Sequence, residues 1–286
     1  MTQPPTLEPR QAKPRMRGVA IATAVVGGVV LFGLGATAAF AMAASSQRLD
    51  TQREPGAPLG PVDARGVTSL NLNVGVADLD LTFDDVTEAT LSASGGGADR
   101  WEFGRKGDEL VVRAPKSNSG FCFFGMCPSV RGQHVAATLT LPKNLADGAL
   151  DADIRIGVGT LRTTGSFGEL DVTVDAGDAY IGGEATELGL AIGMGTFEGE
   201  LEGVQTVDAE VELGDLALVL RGDPPTDVKL EVSAGSIDLA VPAGPYDVTH
   251  GSTAGGIDNT LRTVPGAPNR ISAKVDLGDI TLREAR

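Results

Sequence analysis

The chain has 286 residues, a net charge of −15, 39 glycines and only 4% aromatic residues. Its apolar content is carried by Val, Leu, Ile and Ala, which excludes a wide core filled by aromatic rings. The negative field argues against nucleic acid as a partner, and two histidines leave little material for nucleophilic catalysis.

Residues 1–17 hold Arg10, Lys13, Arg15 and Arg17 against Glu8 alone, the cationic flank expected on a cytoplasmic side. The following 27 residues, Gly18 to Ala44, carry no charge. A helix of that length, rising about 1.5 Å per residue, spans a hydrocarbon core of about 30 Å. The pattern predicts a basic cytoplasmic tail (1–17), a single transmembrane helix (18–44) and an extracytoplasmic remainder carrying −18. A cleaved leader is the alternative, since Ala39-Phe40-Ala41 and Ala41-Met42-Ala43 fit the small-x-small rule; the apolar run exceeds the usual h-region of about 7–15 residues.

Residues 45–66 are rich in Ser, Gln, Thr, Pro and Gly, with Pro55, Pro58 and Pro61 spaced through them, and read as a disordered stalk. From residue 67 to 286 the apolar pattern has period two, the mark of strands with one buried face. Val207, Ala209, Val211 and Leu213 alternate with Asp208, Glu210 and Glu212; Gly214-Asp215 then intervenes before Leu216 resumes the pattern. The same unit, an inward residue, two turn residues and another inward residue, recurs around Gly159, Gly177, Gly195, Gly235, Gly255 and Gly278. Successive glycines lie 18 to 23 residues apart, the length of one coil. An all-β fold follows, a single-handed β-solenoid or β-helix of short strands preceded by the transmembrane helix. An antiparallel meander with two-residue hairpins is the competing architecture. A diverged copy occupies Ser69 to Leu81, strands are expected near Ala89–Ala93 and Glu109–Arg113, and Pro142 ends a strand begun near Val135.

The run Leu139-Thr140-Leu141-Pro142 followed by repeated inward-x-inward-Gly-Asp units resembles the bacterial DUF4097 family of candidate adhesins, over about Val67 to Leu282. The resemblance implies an exported β-strand-repeat protein with a surface or envelope setting, and brings no catalytic residues.

Cys122 and Cys127 are the only cysteines, five positions apart in a chain expected to be exported, so a disulfide closing a small loop is expected. With only His134 and His250 to complete a set, a metal site there is poorly supplied. Phe121, Phe123, Phe124 and Met126 make that loop a candidate contact site, or equally a cap over an open end. Asp78, Asp178, Asp215 and Asp279 recur beside the corners, as turn caps or as calcium ligands interrupted by Thr160, Thr196 and Ser236. Trp101 and Phe103 form either a packed strand or an exposed patch. No cofactor and no catalytic residues are expected. The expectation is an adhesin-like interaction or structural module that meets an unknown envelope or cell-surface component. The alternative is an envelope-stress sensor signalling through its one helix, with Gly33, Thr37 and Ala41 as a close-packing face.

Overall fold

The computed structural model describes residues 59–95, 97–114, 135–148 and 150–285. The tail, the apolar run at 18–44, His134, Cys122, Cys127 and the Phe121, Phe123, Phe124 and Met126 loop lie outside the described residues. No helix among the described residues is long and apolar enough to cross a membrane.

The described part is all-β. Its strands are β1 (Leu59–Asp63), β2 (Ser69–Val76), β3 (Asp78–Asp84), β4 (Glu88–Gly95), β5 (Glu102–Lys106), β6 (Glu109–Arg113), β7 (Val135–Pro142), β8 (Asp151–Glu202), β9 (Thr206–Arg221), β10 (Asp227–Val241), β11 (Tyr246–Ala254), β12 (Ile257–Asn259) and β13 (Asn269–Glu284). They form one open sheet. The sheet begins at Leu59, within the stretch expected to be stalk, because β1 pairs antiparallel with β4 and Ala64 beside it is buried.

From β8 onward each repeat is one rung, paired in parallel and in register with its neighbours. Val207 is opposite Leu188 on one side and Val228 on the other, and Gly214 is opposite Gly195 and Gly235. β8 alone is 52 residues long and carries three rungs. Alternation explains the burial. In β9, Val207, Ala209 and Val211 are buried before the glycine, and Leu216, Leu218 and Leu220 after it, while Asp208, Glu210 and Glu212 face solvent. Each fully buried Val or Leu contributes about 1.5–3 kcal/mol, but only when a neighbouring rung covers it.

The glycine corner differs from a turn between separate strands. The strand runs through it without interruption, with φ of 148° at Gly214 and 146° at Gly235. Each corner packs so closely on the next that a Cβ at Gly214 would stand 1.8 Å from the Gly195 carbonyl oxygen. Glycine is required for both reasons, backbone conformation and proximity.

The two ends depart from a simple stack. At the first end the arms separate: β2 is continued by β6 and then β5, whereas β3 is continued by β7, β4 and β1. Trp101, just before β5, is buried and Phe103 packs against the core, as a packed strand requires. At the other end the rungs are not in chain order. β13 lies between β10 and β11, with Leu277 opposite both Ala234 and Ala254. Side-chain supply accounts for this. β13 buries Ile271, Ala273, Val275, Ile280 and Leu282, which need cover on both sides, whereas β11 and β12 offer half-buried Val248, Ser252 and exposed Ile257. The apolar strand takes the inner place and the polar one the edge. Tyr246 fixes the connector that skips a rung: its buried ring donates a hydrogen bond from Oη to the Pro242 carbonyl at 2.6 Å, and burial pushes the phenol up to about 12.

Candidate functional site

The residue before each corner glycine points outward, correcting the inward orientation expected from the repeat. Val158, Met194, Leu213 and Leu277 are 51%, 54%, 52% and 58% exposed. The strand is inverted across this position: the buried residue is two places earlier, at Ile156, Ile192, Val211 and Val275. Because the rungs are in register, Met194, Leu213, Ala234, Leu277 and Ala254 stand side by side as a ridge along the stacking direction. Met194 and Leu213 are thus large exposed apolar side chains on adjacent rungs, with Ala234 between them and Leu277, a feature of contact surfaces.

Beside the ridge, the residue after each glycine forms a second column. In spatial order it reads Asp78, Thr160, Asp178, Thr196, Asp215, Ser236, Asp279 and Gly256, so that an acid alternates with a neutral residue on every rung. The acids cap the next corner. Thr160 N–H donates to Asp78 Oδ1 and Thr196 N–H to Asp178 Oδ1, both at 3.1 Å; Gly256 N–H donates to Asp279 at 2.6 Å, and Ser236 Oγ donates to Asp215. Among the described residues no three His, Cys, Asp or Glu side chains are grouped to hold a metal ion.

In each rung the segment before the corner glycine is the first arm and the segment after it the second; the outer face of the first arms in β8 and β9 is acidic. Burial, with repulsion from Asp153, raises the Asp171 carboxyl above its ordinary value; burial, with repulsion from Asp171, Glu187 and Asp151, raises Glu169. The outer face of the second arms carries a groove of about 510 Å³. One column, three residues past each glycine, supplies Arg162, Tyr180, Glu198, Ala217 and Asp238; another, five residues past, supplies Thr164, Gly182, Glu200 and Val219. Arg162 lies over the Tyr180 ring at 5.2 Å. Arg283 closes the far end, donating to Asp238 at 2.9 and 3.3 Å, and Arg221 pairs with Glu200. Reading the sequence down the columns set by the glycines, rather than along the strands, is the signal that finds this groove. His250 is exposed on β11, away from these columns.

No family model matches the chain, and no curated protein matches it. Solved structures that are similar include a candidate cell adhesion protein from Clostridium sporogenes ATCC 15579, at 13% identity over 79% of this chain and 97% of that chain, with a TM-score of 0.36. A candidate adhesin from Parabacteroides merdae ATCC 43184 is 10% identical over 81% and 97%, with a TM-score of 0.36. A candidate adhesin from Bacteroides fragilis NCTC 9343 is 14% identical over 77% and 94%, with a TM-score of 0.28. Similarity at this level adds no argument to the geometry.

Proposed function

We infer that this chain is a membrane-anchored, extracytoplasmic interaction module of the cell envelope, without catalysis, whose stacked rungs make a single-handed β-solenoid. The observation that carries the reading is the corner ridge. Val158, Met194, Leu213 and Leu277 hold more than half their surface in water without serving the core, and the adjacent pair Met194 and Leu213 makes sense as a contact with another molecule. The uncharged run at 18–44 and its basic flank support the anchor, and the acidic first-arm face favours solubility outside the cell.

Two measurements test this. Protease added to intact cells should remove residues beyond 58 from the full chain while sparing the basic tail; protection of the β-rich part would contradict export. A photo-crosslinking residue at Met194 should yield one discrete adduct in cells, abolished by Leu213→Asp on the neighbouring rung. Absence of any adduct, or one indifferent to Leu213→Asp, would contradict the ridge as a contact.

A further inference from the structure

We propose that the groove on the second arms binds a neutral, hydroxyl-rich polymer, an oligosaccharide laid along the stacking direction. The site uses other side chains than the corner ridge and does not rest on that reading.

The main chain beneath the groove is already paired rung to rung, Glu198 with Ala217 and Ala217 with Asp238. A peptide strand therefore has no free ladder edge to join there, and a ligand is read by side chains. Those side chains interleave both signs. Glu200 is neutralised by Arg221 and Asp238 by Arg283, leaving Arg162 and Glu198 of opposite sign, so neither charge has a continuous track to follow. A neutral ligand needs no such track. Vicinal hydroxyls both donate to carboxylates and accept from guanidiniums, which suits Glu198 and the Asp238–Arg283 pair that closes the far end.

The floor has the matching shape. Gly182 and Ala217 keep it shallow, and the Tyr180 ring, held under the Arg162 guanidinium, lines it beside them. The pitch also fits, because rungs recur about every 4.8 Å, close to the length of one pyranose in an extended chain. Successive rungs thus meet successive sugars.

The test uses the full chain in a zwitterionic, sugar-free detergent and fluorescence anisotropy with labelled cellohexaose, N-acetylchitohexaose and maltohexaose. Oligogalacturonate and the glucosamine hexamer serve as charged probes. At least one neutral probe should bind, by about tenfold more tightly than either charged one. Gly182→Val should weaken that binding by about tenfold or more without lowering the melting temperature, because its Cβ would meet only Thr164 and Glu200 atoms at 3.4 Å or beyond. Tyr180→Ala should do the same by removing the ring that holds Arg162 in the groove, while Glu210→Gln before the corner leaves binding unchanged. Failure of every neutral probe to bind, preference for a charged probe, or neutral binding indifferent to both groove variants would overturn the proposal.

Discussion

A methyl group added at Gly214 would stand 1.8 Å from the Gly195 carbonyl oxygen on a backbone whose φ is already 148°, so two rungs must separate to admit it. Gly214→Ala should therefore cost at least about 3 kcal/mol. Gly251 on β11 is the control: its Cβ would meet nothing within 4 Å and its φ is not positive, so Gly251→Ala should stay within about 0.5 kcal/mol. Thermal melts compare the two. Thr163 presents the opposite case. It sits opposite Leu81 in the core, 5% exposed, with a buried hydroxyl that has no hydrogen-bond partner. Thr163→Val keeps the shape and removes the unsatisfied oxygen, so it should stabilise by about 1 kcal/mol, raising the melting temperature by about 2–4 °C.

At the scale of the element, the first-arm face sets carboxylates one ladder spacing apart, and Asp171 carries the consequence. Its folded carboxyl titrates above the unfolded one, so between the two values the folded state holds more protons and stability falls as pH rises. Asp171→Asn should accordingly raise the melting temperature at pH 7, and the gain should vanish below the ordinary carboxylate value of 3.8. Melting curves of both proteins across pH check the sign. The same strands show what sequence pattern conveys. Alternation around Val207, Ala209 and Val211 and the spacing of the corner glycines gave all-β rungs, and the strands near Ala89 and Glu109 fell where expected. Leu213 did not point where its parity said, because the inside–outside count slips at Glu212, which the ladder skips, just before the Gly214 corner. The alternation of Asp and Thr or Ser at the corners was legible from Asp78 to Ser236, and only its continuation through Asp279 to Gly256 needed the spatial order of the rungs. The groove was hidden for a related reason, its rungs lying 18 to 21 positions apart along the chain and Arg283 45 beyond Asp238.

At the scale of the whole molecule, the stack is stable only as far as each rung has neighbours, and the order β10, β13, β11 makes its far end depend on one strand. Ile280→Ala, removing a buried side chain from β13, should cost about 2–5 kcal/mol. Hydrogen exchange should then quicken throughout β11, β12 and β13 together, with β9 left protected. Exchange rising in β13 while β11 stays slow would show that β11 holds itself in place. The interleaved order also fixes a timetable. β11 leaves the ribosome before β13 yet pairs with the rest of the sheet only through it, so the edge of β10 stays open while residues 246–268 wait for a partner made after them. The strand that emerges last is the bolt for the one before it, and a nascent chain halted between them lacks two rungs rather than one.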